Sequence, residues 1–472
     1  MRFVFNKRKW LTTIAASVVT IGAQAAPYEV VDLGTLGGIK NFAFGVNSLY
    51  EVVGSSDGEI LLPEEVTEEN PGNACLVASV ILVQEFCDQA YIYRNDSLNG
   101  LGQLNLDGSF GLSINDSSTI VGYAIEEVDD GDPDTINPIR ERGFISYDGA
   151  VIESLPFPSE SDDMPEGVVP EMRAVHISND NIVLGYVLVV LTSPTDETIR
   201  QVTARPYRYD LGADTFELIP LFETDADLFA SGNQAFGGNV RSMNTAGQIV
   251  GWGNIANENG SSSVRGLLWD PANAEVSQSL GTLGGFSSQA YDINDSGIIV
   301  GVSETDENFF RNQELAFVYD TSNETMTQIP EFSTIAEYTQ SRAYAINNAN
   351  TVVGSAQISA NNGTNAAFSY EVGADALINL NDMIQCDLGW NLVTARDITE
   401  DGVIIGTGTL NGRVRSFMLM PTSDTTPTNC TKANLPDDGD DGNDSGSSGG
   451  SIGYITLLAL FMALYRRRVS AK

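Results

Sequence analysis

Apolar and polar positions alternate along most of this chain in short bursts, and one burst recurs. Its clearest copy, Ile293-Asn294-Asp295-Ser296-Gly297-Ile298-Ile299-Val300-Gly301, has an apolar residue, an Asn, a polar turn, an aliphatic run and a closing Gly. Further copies occupy residues 46–54, 114–122, 177–185, 243–251, 346–354 and 398–406. The position before the second run is Asn181, Gly247, Gly297, Asn350 or Gly402 in five of them. Gly and Asn tolerate the φ > 0 of a tight hairpin. Tyr50 and Ser118 hold that position in the other two, which predicts turns of a different kind. Val and Ile beyond the turn favour strand, so each copy reads as a β-hairpin. The closing glycines predict a bend or a close backbone approach.

Two more strand signals lie between successive hairpins. One is rich in aromatics, as in Ala90-Tyr-Ile-Tyr93, Ala316-Phe-Val-Tyr319 and Ala367-Phe-Ser-Tyr370. The other is a short run ending in Leu, Ile or Pro, near 101–104, 151–155, 216–219, 276–280, 326–329 and 376–380. Each unit then holds four short strands. The closing glycines stand at 54, 122, 185, 251, 301, 354 and 406, so later units span 50–53 residues and earlier ones 63–68. Four strands at this period predict an all-β fold, a β-propeller of seven four-stranded blades. The pattern begins and ends out of phase. The strand at 28–33 is therefore expected to complete the last blade beside 417–419 and close the ring. The alternative is a β-solenoid or an open repeat array built from the same units. Surface insertions are expected at 57–89, 128–142, 159–171 and 223–239, crowding one face.

Composition then sets an address. Residues 1–25 have a basic start, an apolar run and Ala23-Gln24-Ala25, the form of a secretory signal peptide cleaved after Ala25. The repeat domain covers 27–421. Residues 422–450 form a linker of Asp, Gly and Ser whose composition cannot bury a core. Residues 451–472 are an apolar run, short for a membrane span, followed by Arg466-Arg467-Arg468. Formal net charge is −39, which argues against nucleic acid as a partner. Removing the four cations of each end takes it to −47. An exported chain meets an oxidising compartment, and its four cysteines are even in number. Local pairing of Cys75 with Cys87 and of Cys386 with Cys430 is the simplest of three connectivities. The second bridge would be worth roughly 3–4 kcal/mol from loop closure.

The repeat, with its LGTLGG at 33–38 and 280–285, resembles the HAF-type extracellular repeat. The whole chain, with Cys386-Asp-Leu-Gly-Trp390, resembles the DUF3466 family of exported proteins, which has no assigned biochemical function. Gly449-Gly450, the apolar run and the arginines resemble a GlyGly-CTERM sorting tail. That resemblance implies signal peptidase, a rhomboid-like sorting protease (rhombosortase) and the type II secretion machinery as partners, with delivery through the periplasm to the cell surface, outer membrane or medium.

Candidate chemistry is sparse. Asp130, Asp132, Asp134 and Glu141 match positions 1, 3, 5 and 12 of a calcium loop. Thr135 replaces its usual Gly, Asn137 and Pro138 interrupt it, and no helices flank it. No resident cofactor is expected, and calcium there is the one metal candidate. His176, the single histidine, falls at a variable repeat position with Gly45, Ser113, Ser242, Asp292, Ala345 and Asp397, and supports no catalytic triad. The reading is a non-catalytic binding or structural module for a polysaccharide or envelope protein. The alternative is a carbohydrate-active hydrolase or lyase using acidic residues in the propeller funnel.

Overall fold

The computed structural model describes residues 26–428, apart from 62–73, 77–87, 105–107, 129–138, 159–169, 193–199, 221–237, 257–261, 274–276, 307–312, 333–338 and 359–363. The chain divides into two compact units, Met1–Cys430 and Thr431–Lys472, and the second lies outside the described residues. Seven antiparallel sheets stand in a ring around one axis, a seven-bladed β-propeller. Blade 5 serves as the pattern: Ser288–Ile293, Ile298–Glu304, Glu314–Asp320 and Thr325–Gln328, paired in that order outward from the axis. The innermost strands of blades 1 to 7 are Gly37–Val46, Ser109–Ile114, Met172–Ile177, Asn239–Met243, Ser288–Ile293, Ser341–Ile346 and Trp390–Ile398. Among the described residues there is no α-helix, hence none long and apolar enough to cross a membrane.

Ring closure follows the expected route. Tyr28–Asp32 is the outermost strand of blade 7 and pairs antiparallel with Arg413–Pro421, Val30 opposite Leu419. Blade 7 also meets blade 1 at the axis, where the Val46 amide donates to Asp397 Oδ2 at 2.9 Å. A straight stack would leave those two blades apart, so the solenoid alternative falls.

Each repeated residue has a physical task. The Asn of each turn accepts from amides of its own hairpin and donates to the next blade. Asn294 Oδ1 takes the Ser296 and Ile298 amides, while its Nδ2 donates to the Asn347 carbonyl at 3.1 Å and to Asn350 Oδ1 at 2.9 Å. Asn47, Asn115, Asn244 and Asn347 make the equivalent link to the following blade. Ser178 and Thr399 stand where that Asn is missing. Their hydroxyls cap their own turns, accepting from the amides of Ile182 and Val403, but carry no second donor. Between blades 7 and 1, Tyr50 donates to Asp401 instead.

The closing glycines mark a close approach. A Cβ on Gly354 would lie 2.1 Å from the Arg342 carbonyl and 2.6 Å from the Phe368 ring, and each of the other six meets the same strand-to-strand clash. The inner strand bulges opposite these glycines, which brings its backbone in. Aromatics of the third strand, such as Tyr91, Phe144, Phe317 and Phe417, fill the space above them and are fully buried. Each is worth about 2–3 kcal/mol of apolar burial.

Three expectations are corrected. Tyr50 and Ser118 do not make different turns: their φ values of 61° and 58° match the left-handed residue of the other hairpins. The outermost strands of blades 2 to 6 end one residue before the predicted Leu or Ile, and that of blade 1, Ser97–Gly100, precedes the predicted 101–104 entirely. Leu101, Leu155, Ile219, Leu280 and Ile329 instead bury their side chains and donate their amides back to the third strand. The insertion at 57–89 is not wholly loop. Val52–Leu61 runs into it, and Ala74–Leu76 pairs with that strand in parallel.

Candidate functional site

Antiparallel blades send their inner-to-second-strand turns to one face and their longer loops to the other. All four predicted insertions leave from the loop face. Between the faces, alternate residues of each inner strand are buried between blades while the others remain partly exposed toward the axis. Two layers result. The layer nearer the loops holds Phe42, Phe110, Arg173, Asn239, Gln289, Arg342 and Thr394. The next holds the bulge residues Phe44, Leu112, Val175, Arg241, Tyr291, Tyr344 and Arg396. These positions carry four arginines and no carboxylate. Drawn at random from a chain with 63 acidic and 24 basic residues, they would carry about two acids and less than one base.

Two of the arginines are ion-paired, and one of these, Arg173, also lies 4.0 Å over the Tyr123 ring. Arg173 is bidentate on Glu141 of blade 2, and Arg342 reaches Glu314 of blade 5, two equivalent pairs across neighbouring blades. Arg241 and Arg396 lie on aromatic faces. The Arg396 Cζ is 4.4 Å from the Tyr344 ring centre and 6.0 Å from that of Phe44. Arg241 lies 5.3 Å from Trp252 and 5.8 Å from Tyr291. Tyr291 stacks on Tyr344 at 5.7 Å and 14°, and Trp252 meets Tyr291 edge-on. A continuous arc of rings and guanidinium groups therefore spans blades 4, 5, 6, 7 and 1. Blades 2 and 3 face it with the aliphatic Leu112 and Val175.

A third layer, toward the turns, carries the residues grouped with His176. Asp292 accepts from the Ile346 and Ile293 amides and from Ser242; Asp397 accepts from Val46 and Ile398. Each carboxyl thus ties its blade to the next. Burial raises the Asp292 pKa to about 6 and that of Asp397 to about 7. His176 is enclosed by protein, its Nε2 meets no partner, and burial lowers its pKa to about 4. It is a half-buried neutral imidazole, as its variable position suggests. At the blade 2–3 seam, burial and then Glu141 raise Glu171 to about 7 against the pull of Arg173.

Of the calcium-loop residues, Glu141 is described, in the strand Ile139–Ser146, with both oxygens on Arg173. A cation there would have to displace that guanidinium. Asp130, Asp132 and Asp134 lie outside the described residues, and among those described no acidic or His/Cys cluster is arranged for a metal. Cys386 is disulfide-bonded; Cys87 and Cys430 lie outside the described residues, and of Cys75 only the backbone is described. Ala25, Gly449 and Gly450 are also outside. The channel lining escaped sequence reading. Its signal was the variation itself: each of the two positions flanking the small buried residue of the inner strand holds five residue types over seven units.

No curated protein matches the chain. Solved structures match at low similarity. A protein of unknown function from Dyadobacter fermentans is 10% identical, with TM-score 0.37, over 84% of this chain and 98% of its own. The extracellular domain of a putative one-component system from B. thetaiotaomicron is 11% identical, with TM-score 0.38, over 85% of this chain and 41% of its own. A sialidase from Trypanosoma rangeli is 10% identical, with TM-score 0.34, over 69% and 56%. Residues 284–416, from the second LGTLGG loop to the third strand of blade 7, match the model of a family described as "Protein of unknown function (DUF3466)", which supports the family expected from the sequence.

Proposed function

We propose that this protein is an exported, surface-sorted propeller that acts as a non-catalytic binding module and takes its ligand, a polysaccharide or other envelope component, into the central channel. The two layers nearer the loops carry the reading: four arginines, two of them paired with Glu141 and Glu314, and several aromatic rings, in a chain of net charge −39. Convergent donors and ring faces in a concavity are the usual composition of a ligand site. The disulfide at Cys386 supports an oxidising address. In this reading signal peptidase cleaves after Ala25, and a rhomboid-like protease acts near Gly449-Gly450 before type II secretion. Mass spectrometry of protein from medium and outer membrane tests the address: a mature chain lacking both ends is expected, and one keeping 451–472 in every fraction would remove the sorting step. A glycan array with purified protein tests binding.

The enzyme reading rests on Glu171. A carboxyl that keeps its proton near neutral pH, beside the Glu141 carboxylate, has the protonation of a general acid. Glycan hydrolysis abolished by Glu171→Gln would favour this reading over the binding module.

A further inference from the structure

We infer that the ring opens at one joint, the seam between blades 3 and 4. The inference concerns the frame and stands apart from the binding-module reading. Three kinds of hydrogen bond fasten neighbouring blades. The turn Asn donates to the next turn, as Asn115 and Asn244 do. A polar residue of the third layer accepts an amide from the next blade: Ser113 takes Ile177, Asp292 takes Ile346 and Asp397 takes Val46. A third-strand amide donates to a serine of the next inner strand: Ala90 to Ser109, Gly266 to Ser288 and Ala316 to Ser341, each at 2.9 Å. The turn Asn fastens five of the seams, and Asp397 fastens blade 7 to blade 1.

Between blades 3 and 4 all three kinds are missing, each for a reason of sequence. Ser178 replaces the turn Asn, and its hydroxyl caps its own hairpin. His176 holds the third-layer position with its Nε2 unpartnered. Pro206 stands where Ala90, Gly266 and Ala316 stand in other blades, and proline has no N–H. Gly238 stands where the serine would be, so that bond has lost its donor and its acceptor together. The turns bond away from the seam on both sides. Asn179 and Asn181 reach back to Asp116 and Asn115 of blade 2, while Asn244 and Thr245 reach forward to Asn294 and Asp295 of blade 5. An apolar cluster of Ile182, Leu184, Ile219, Val240, Ile249 and Trp269 remains, with Ser277 donating to the Pro220 carbonyl at 2.7 Å. Its packing is incomplete. A small cavity lies between Pro206, Ile219, Gly238, Val240 and Trp269, and the buried Trp269 Nε1 has no partner. An unfilled gap forfeits dispersion contacts, and an unpaired buried donor costs stability. A region with these deficits opens before the rest of the fold. Opening here parts Val175 from Arg241 and widens the channel on that side.

Thiol labelling tests the joint. Val240→Cys puts a thiol at a buried position on this seam, and Ala290→Cys and Ala343→Cys put one at the matching positions of the next two seams. With N-ethylmaleimide and no reductant, and wild type as the background, Val240→Cys should react at least tenfold faster than the other two. Ser178→Asn restores the turn donor, and Pro206→Ala with Gly238→Ser restores the strand-to-strand bond. Each should slow labelling of Val240→Cys at least threefold and leave Ala290→Cys unchanged. Equal rates at the three thiols, or a Val240→Cys rate that neither restoration moves, would overturn the inference. Hydrogen exchange of the unmodified protein gives a reading that needs no substitution. Asn239–Met243 should exchange at least tenfold faster than Ser288–Ile293 and Ser341–Ile346, and equal or slower exchange would also overturn the inference.

Discussion

The frame of the propeller and the lining of its channel are made from the same short strands, yet they obey opposite rules. In the frame, one residue type recurs from blade to blade because one geometry recurs. Gly54, Gly122, Gly185, Gly251, Gly301, Gly354 and Gly406 all face a carbonyl about a bond length and a half from where a Cβ would sit. In the lining, at the bulge residue beside the one paired with each glycine, no such rule holds. Phe44, Leu112, Val175, Arg241, Tyr291, Tyr344 and Arg396 share a position and little chemistry. Packing can explain sameness. Departure from it, at positions that keep contact with solvent, points to recognition.

That contrast can be broken or sharpened by substitution. The largest effect is expected at the frame. Gly354→Ala places a methyl 2.1 Å from a backbone oxygen, and the sheet cannot yield without losing its bulge. A loss of about 4 kcal/mol or more is expected in urea unfolding, and a loss under about 1 would remove the close-approach argument.

Asp397 comes next. Its folded pKa of about 7 exceeds the usual carboxylate value, so the native state holds a proton that the unfolded chain releases. Stability from this group is full at low pH and is lost as pH rises from about 4 to about 7, by an amount on the order of 4 kcal/mol. Asp397→Asn keeps only one of the two amide acceptors, so it should be less stable than wild type at pH 4 and gain on it as pH rises to 8. His176, held neutral by burial, has the opposite sign, costing stability as pH falls through its folded value of about 4, but it is common to both proteins and cancels. A difference that is constant with pH would contradict the assignment.

Asn294→Ala removes four hydrogen bonds from a side chain with 4% exposure. About 2 kcal/mol should be lost in the same assay, since the carbonyl and amides left behind are mostly buried. Ser118→Asn is the mildest. It relieves a left-handed serine, at φ 58°, with a residue that tolerates that conformation. A gain of about 0.5 kcal/mol is expected, and a loss would show that the Ser118 bond to Glu51 outweighs the strain.

Much of the frame was legible before any coordinates. Hairpins, blade number and the closing strand follow from the period and from the out-of-phase start at Tyr28. What the sequence concealed has physical reasons. Tyr50 and Ser118 look wrong for a left-handed turn, but Asn47 and Asn115 hold those hairpins by accepting two amides each. The turn Asn reads as a local hairpin signal, while its amide makes a bond to the next blade, which no local pattern reveals. The channel was hidden for a deeper reason. Its residues come together from seven distant segments, and only the β-bulge turns them toward the axis. Glu141 illustrates the converse: a spacing that suggests a calcium loop places this residue on Arg173 from the next blade.

The most direct test of the contrast is the unfolding free energy of the Arg241→Gln/Arg396→Gln double variant. If these side chains serve the channel and not the frame, the loss should stay within about 2 kcal/mol. A loss as large as that of Gly354→Ala would show that the arc holds the blades together, and the division between frame and lining would fail.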